Sequence, residues 1–317
     1  MPPVPFARII APTPTRLQVR RMRAGRRRFT LLTAASILLA ALSALMLATP
    51  MLGRLAYAHA ESGLVAQVDE DAGGLDRATR NRMLAAARDY NTHVADGGQV
   101  IGETLDPFGN PDGDFSGSDD TAYTRTLDMG DGIMGTLSIP RIGVDLTIRH
   151  GSSDTVLQEG LGHLHGTSLP VGGKGTHAAL TGHRGMPDRL MLTRLDEMRE
   201  GDPFYLHILG DTLAYRVVDI RVVDPDDTGA LAVQPGRDLV TLVTCTPYGI
   251  NTQRLLVTGE RASMPDVAPY QEDAPGDART PTVMAAGATG GIGLLAARTA
   301  GRAQPAARHR RGRRRRH

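Results

Sequence analysis

The apolar residues of this chain follow two different patterns. Between residues 30 and 53 the sequence TLLTAASILLAALSALMLATPMLG contains no charged residue, and a helix of that length can cross a hydrocarbon core of about 30 Å. From Ile133 onward, short β-branched runs alternate with Gly, Pro and Asp, which is typical of strands and turns. Seven strands are predicted, over residues 135–139, 144–148, 177–182, 203–209, 213–223, 239–245 and 254–259.

Few helices accompany these strands. A segment rich in Ala, Arg and Leu predicts a helix at 75–90, and two short helical segments are expected at 154–160 and 188–197. Many short strands with few helices predict a mostly β fold, a closed or partly closed β-barrel over residues 133–262. The preceding region, 54–132, is expected to hold the helix and then a loop rich in Gly, Asp and Pro.

The charges are strongly segregated behind a formal net charge of +2. Residues 1–28 carry eight arginines and no acidic residue, and residues 298–317 carry nine arginines and no acidic residue. Removing those 17 from the 36 basic residues leaves 19 against 34 acidic residues, so the body of the chain carries about −15. The two ends are cationic and the body is anionic.

This segregation predicts how the N-terminal half lies across a membrane. Arginines before the apolar segment favour a cytoplasmic N-terminus at 1–29, an uncleaved transmembrane anchor at 30–53 and an exported body. A signal peptide cleaved near Ala56–Ala60 is the alternative, although its apolar region would normally be shorter, roughly 7 to 15 residues.

The C-terminal region is predicted to contain three further segments. A linker rich in Pro, Asp and Ala occupies 263–282, and the apolar stretch 283–297 is a second candidate transmembrane segment that is short and contains four glycines. The Arg-rich tail at 298–317 is expected either in the cytoplasm or as a flexible tail on acidic lipid or wall polymer. Export of the body disfavours nucleic acid as a partner.

Cys245 is the only cysteine in the chain, so an internal disulfide is excluded and the thiol is free. It ends the apolar run LVTLVTC just before Thr-Pro, where a side chain is expected at the rim of a barrel. A small buried hydrophobe is the simplest interpretation of such a residue. However, an unused thiol is a liability in an oxidising compartment, which makes Cys245 a candidate nucleophile.

Two residues are candidate partners of this thiol. His183, in ALTGHRG, also ends an apolar β run and could transfer protons to and from the sulfur. Arg254 follows Cys245 by nine residues across the turn TPYGINTQ, a layout that predicts a hairpin with the two residues opposite each other. A fixed cation there would stabilise a developing oxyanion. A solvated histidine and a surface arginine are the alternatives.

His163 and His165, in GHLHG, raise the question of a metal site. No third ligand stands at a recognisable spacing from them, and the only thiol lies elsewhere in the chain. We therefore predict no metal and no metal-dependent chemistry.

Three motifs together resemble those of sortases, specifically of class C, or pilin-polymerising, sortases. They are TLVTCTPYGINTQRLLV, ALTGHRGMP and GTSLPVGG, and the resemblance covers residues 106–261. It implies an eight-stranded sortase-type β-barrel with short helices, preceded by an N-terminal helix and a lid loop, in a membrane-anchored transpeptidase without a cofactor. By the matching motifs it implies Cys245 as nucleophile, His183 as proton donor and acceptor, and Arg254 as stabiliser of oxyanion and substrate.

The resemblance also gives a meaning to the sequence DPF at 106–108. Class C sortases carry an Asp-Pro-aromatic motif on a lid over the active site, which implies that Asp106 pairs with Arg254 and that Phe108 covers Cys245. An ordinary turn is the alternative for DPF in a loop rich in Gly and Asp. One departure is Gln253, where the family often has His.

The expected function is cleavage of LPxTG-like sorting signals through a thioester and their transfer to a lysine amine of pilin subunits, outside a Gram-positive type of membrane. A housekeeping sortase that uses a peptidoglycan precursor as acceptor is the nearest alternative, and the DPF motif argues against it. An exported cysteine peptidase or amidase would not need an arginine across the hairpin. The alternative outside the enzymes is a membrane-anchored binding module with a structural cysteine.

Overall fold

The structure is a computed structural model that describes residues 15–97, 101–102 and 114–264, without the side chains of residues 22, 26 and 47. The chain falls into two units, one formed by Met1–Thr49 with Asp277–His317 and the other by Pro50–Gly276. The predicted segment 283–297 and the Arg-rich tail 298–317 lie outside the described residues.

Helix α1 extends over Arg16–Gly74 and crosses the boundary between the two units. Its apolar part contains large side chains that are exposed, among them Leu31, Leu38 and Met46. It is the one helix among the described residues that is long and apolar enough to cross a membrane, and it includes the predicted anchor at 30–53. Helix α1 is therefore a candidate membrane anchor.

Three further helices belong to the second unit: α2 (Arg77–Ala95), α3 (Thr121–Arg125) and α4 (Asp154–Glu159). Helix α2 begins at the N-cap Asp76, whose carboxylate accepts from the backbone N–H groups of Ala78 and Thr79. It is fixed to the barrel by Asn91, whose side-chain amide donates to the Leu169 carbonyl (3.0 Å) and accepts from the Leu169 N–H (2.6 Å).

Eight strands form a closed barrel in the order β1-β2-β3-β4-β7-β8-β6-β5. Pairing between β1 and β5 closes it, the pairs β2–β3 and β4–β7 are parallel, and the other pairs are antiparallel. The predicted fold class is confirmed. The strands are β1 (Ile133–Ile139), β2 (Val144–His150), β3 (Leu161–His163), β4 (Thr176–Thr181), β5 (Pro203–Ile208), β6 (Asp211–Val223), β7 (Asp238–Thr246) and β8 (Gln253–Arg261).

Alternate residues of β4, β7 and β8 pack into two separate apolar clusters. Val240, Leu242 and Val257 belong to the large cluster that fills the barrel. The residues between them face the other way, because side chains alternate along a strand. On that outer face a second, smaller cluster is formed by Ala179, Leu231, Val243 and Leu256.

The prediction of a helix at 188–197 is wrong. The segment consists of turns, with one turn of 3₁₀-helix at Leu195–Glu197. Met191 has a positive φ of 41°, and the Leu192 N–H donates to the His183 carbonyl (3.2 Å). Burial of Leu192 and Leu195 in the barrel core outweighs the local helical preference.

Candidate active site

The hairpin predicted around the cysteine is present. Strands β7 and β8 pair antiparallel, and Cys245 lies directly opposite Arg254 in the register. Opposed residues of an antiparallel pair have side chains on the same face, with Cβ atoms about 5 Å apart. The side chains of Cys245 and Arg254 therefore extend from neighbouring positions on the same face of the sheet.

The parallel pairing of strand β4 with β7 leads the chain towards His183. Strand β4 pairs with β7 so that Thr181 lies beside Val243, and the Gly182 N–H donates to the Val243 carbonyl (3.1 Å). Strand β4 ends at Thr181, and continuing the same offset two residues further would place His183 level with Cys245. Residues two apart on a strand share a face, so Cys245 lies on the outer face that also carries Val243, and the continued offset would put His183 on that face as well.

The glycine before His183 is required by packing. A Cβ atom on Gly182 would lie 2.6 Å from Cδ2 of Leu161 and 3.1 Å from Cδ1 of Leu192, both of which are core side chains. Only a residue without a side chain lets the chain pass so close to the barrel interior. The motif TGH thus delivers the histidine to the rim at the end of β4.

Cys245, His183 and Arg254 are each half-buried, and the Cys245 thiol is free. The Arg254 guanidinium donates to the backbone carbonyls of Gln253 (3.2 Å) and Asn251 (3.5 Å). Among the residues that the structure describes, no carboxylate forms an ion pair with it.

One level below these three residues, the outer face is apolar. Val243 and Leu256 lie directly opposite each other in the register, and the small cluster there includes Leu231, from the connection between β6 and β7. Ile101, two residues before the segment 103–113, packs against this cluster. Val243 and Leu256 are themselves buried, at 6% and 2% exposure.

Known proteins match this chain over the region that carries the site. A family model described as Sortase domain matches residues 137–262. Sortase D of Bacillus subtilis (strain 168) is 30% identical over 132 residues, which is 41% of this chain and 64% of the relative. The matched regions of the three curated relatives cover 64, 59 and 52% of their lengths, so the chain spans less than two thirds of each.

Two solved structures extend the match over almost their whole length. Sortase C-1 of Actinomyces oris is 47% identical with a TM-score of 0.51, over 58% of this chain and 99% of that one. Sortase C of Streptococcus pneumoniae is 37% identical with a TM-score of 0.55, over 65% of this chain and 99% of that one. This chain belongs to the sortase family. Members of the family are cysteine transpeptidases, and these two structural neighbours are class C sortases.

In this sortase the histidines of GHLHG are structural. Nε2 of His163 faces the Ser168 carbonyl (2.8 Å), Nδ1 faces the Tyr123 hydroxyl (3.0 Å), and burial lowers the pKa of His163 to about 3. His165 contacts the Asp120 carboxylate (3.1 Å). The part of the chain that the structure describes contains no group of His, Cys, Asp and Glu suited to a metal.

The predicted lid residues Asp106 and Phe108 lie outside the described residues. The structure places the two ends of that segment. The Gly102 N–H donates to the His165 carbonyl (2.7 Å), and on the far side the Phe115 carbonyl accepts from the Ser152 N–H (2.7 Å). The assignment of the lid remains a prediction from the resemblance.

Arg184 was not predicted as a functional residue from the sequence, although it follows His183 directly. Its side chain is 4% exposed and lies 2.6 Å from the Asp196 carboxylate. The available signal was an arginine at the end of an apolar strand, which is indistinguishable from a surface residue until the neighbouring strand is known.

Proposed function

We propose that this sortase cleaves LPxTG-like sorting signals through a thioester on Cys245 and joins them to a lysine amine of pilin subunits. The observation that supports this proposal is that Cys245 lies opposite Arg254 on the β7–β8 hairpin, beside the strand β4 that leads into His183. A thiol, a proton carrier and a fixed cation are what acyl transfer through a covalent intermediate requires.

The first half of the reaction forms the thioester. Sγ of Cys245 attacks the carbonyl carbon of the Thr in the sorting signal, and the oxyanion of the tetrahedral intermediate receives hydrogen bonds from Arg254. The thiol proton passes through His183 to the departing Gly amine as the C–N bond breaks. The products of this step are an acyl-enzyme and a free peptide that begins with that Gly.

The second half transfers the acyl group to an amine. The acceptor nitrogen attacks the thioester carbonyl, His183 takes the proton that it loses, and the C–S bond breaks to restore the Cys245 thiol.

Pilin is proposed as the acceptor because of the class C resemblance. The pneumococcal sortase C structure is described for its pilin substrate specificity, and the same acceptor chemistry is inferred here. The housekeeping alternative uses the same acyl-enzyme and differs only in the amine, a peptidoglycan precursor. The proposed location is the outer side of a Gram-positive type of cell membrane, with α1 as the anchor.

The proposal predicts that an acyl-enzyme forms and that a pilin lysine is the amine that resolves it. The full-length protein in detergent is incubated with an LPxTG peptide, and mass spectrometry is expected to find the acyl mass on the peptide that contains Cys245. Adding pilin should move the acyl group to a pilin lysine. A wild-type protein and lid variants that all lack the adduct would refute the sortase activity. Transfer only to a peptidoglycan precursor, or only to water, would refute polymerisation.

A separate prediction concerns the lid. If Asp106 and Phe108 cover the thiol, Phe108→Ala and Asp106→Ala should raise the rate of Cys245 alkylation by about 10-fold or more, because a closed state usually leaves the open one only about 0.1 to 10% populated. The rate is measured by iodoacetamide labelling of the full-length protein. Asp119→Ala, at an exposed acid outside the lid segment, is the control. Equal rates in all variants would show that this loop leaves the thiol uncovered.

A further inference from the structure

The two strands that bear His183 and Cys245 are tied together on both sides of these residues. Before them, the Thr244 hydroxyl donates to the Gly182 carbonyl (2.8 Å). After them, Nη1 of Arg184 donates to the Thr246 hydroxyl (3.0 Å). Both contacts join residues 62 apart in sequence, the offset of the parallel β4–β7 register. The pair His183 and Cys245 has the same offset and lies between them.

The second tie is built around a buried cation. Nη2 of Arg184 lies 2.6 Å from the Asp196 carboxylate, the side chain is 4% exposed, and its guanidinium carbon lies 6.0 Å from the centre of the Tyr248 ring. Arg184 thus connects the exit of β4 to the end of β7, the 3₁₀ turn at Leu195–Glu197 and the turn between β7 and β8. A guanidinium with several fixed partners holds a defined orientation better than a lysine ammonium does.

The contact with Thr246 matters because regular pairing between the two strands has ended there. The last aligned pair of β4 and β7 is Thr181 with Val243. Beyond that point, His183 is held by its own chain, through the bond from the Leu192 N–H to its carbonyl (3.2 Å). This bond joins two residues of the same loop. It does not set the distance from His183 to Cys245, which depends on other contacts.

We propose that Arg184 is a positioning residue, which fixes the distance between His183 and Cys245 by binding the Thr246 hydroxyl and the Asp196 carboxylate. This inference rests on the proposed roles of His183 and Cys245. The rate of proton transfer falls steeply when the donor and acceptor atoms move apart. A misplacement of about 1 Å can lower the rate on the order of 10²-fold.

The test separates positioning from simple stability. Arg184→Gln and Thr246→Val are each expected to lower kcat for acylation by an LPxTG peptide, by on the order of 10²-fold and with little change in KM. Thr246→Ser keeps the hydroxyl and should retain the rate. The double variant Arg184→Gln with Thr246→Val should lose little more than either single variant, because both remove the same contact.

Arg194 lies in the same connection between β4 and β5 as Arg184 and provides a matched control. Its side chain is 7% exposed and pairs with Glu197 (2.8 Å), and Nη1 donates to the Ile142 carbonyl (3.2 Å), away from β7. Arg194→Gln should lower the melting temperature about as much as Arg184→Gln and leave kcat unchanged. Equal losses of kcat in the two variants, or an unchanged kcat in Thr246→Val, would overturn the proposal.

A second measurement does not depend on the sortase activity. The His183→Cys variant carries two thiols flanked by the Gly182–Thr244 and Arg184–Thr246 contacts, and a disulfide between them requires a Cα separation of about 4.4 to 6.8 Å. Oxidation should form that disulfide readily, and adding Arg184→Gln should slow its formation. An unchanged rate would refute the positioning role even if wild type acylates. A slowed rate with no acylation in wild type would refute the proposed reaction and leave the structural coupling intact.

Discussion

Replacing Cys245 with alanine is expected to abolish both the thioester adduct and all turnover of an LPxTG peptide. The expected loss in kcat is on the order of 10⁶-fold, which is the effect of removing the nucleophile from a catalytic triad. The physical reason is that, in the proposed mechanism, His183 and Arg254 transfer protons and stabilise charge, and neither supplies a group through which an acyl intermediate could form. Turnover is measured by release of the peptide fragment that begins with Gly.

The uniqueness of the cysteine makes this test sharp. Because the chain contains no other thiol, iodoacetamide labelling of the wild type reports on Cys245 alone and should vanish in Cys245→Ala. The half-buried side chain lies at the end of β7, so the smaller alanine should leave the melting temperature nearly unchanged. Residual turnover in a folded Cys245→Ala protein would rule out the thioester mechanism.

Replacing Arg254 with alanine is expected to lower kcat by about 10²- to 10³-fold, the usual cost of removing one donor to an oxyanion. Arg254 lies opposite Cys245, and its guanidinium donates to two backbone carbonyls of the turn, so its charge is not neutralised by a described carboxylate. Arg254→Lys should recover part of the loss, since lysine keeps the charge and loses the fork of donors. Single-turnover acylation measures the effect.

Arg261 provides the control on the same strand. It ends β8 at the far side of the barrel, beside the Tyr215 ring (5.7 Å) and 3.9 Å from the Asp238 carboxylate. Arg261→Ala should therefore leave kcat unchanged. If Arg254→Ala raised KM and left kcat intact, the arginine would bind the ground state and the transition state equally, and the oxyanion role would be wrong.

The sequence alone was sufficient for the local parts of the site. The β-branched runs predicted seven of the eight strands, and the nine-residue spacing from Cys245 to Arg254 predicted the hairpin that places them opposite each other. Both follow from short-range rules, because side-chain alternation and turn length decide which residues of a hairpin face each other. Strand β3, Leu161–His163, was missed since three residues are too few to display a period.

Only the tertiary structure decided how distant segments meet. The parallel register of β4 with β7 joins residues 62 apart and ends at Thr181 with Val243, two residues before His183 and Cys245, and no local pattern encodes such a register. The same register reveals Arg184 as the contact to Thr246. Burial of Leu192 and Leu195 kept 188–197 from becoming a helix. Local propensity depends on residues that are neighbours in the sequence, whereas register and burial depend on the packing of the whole barrel.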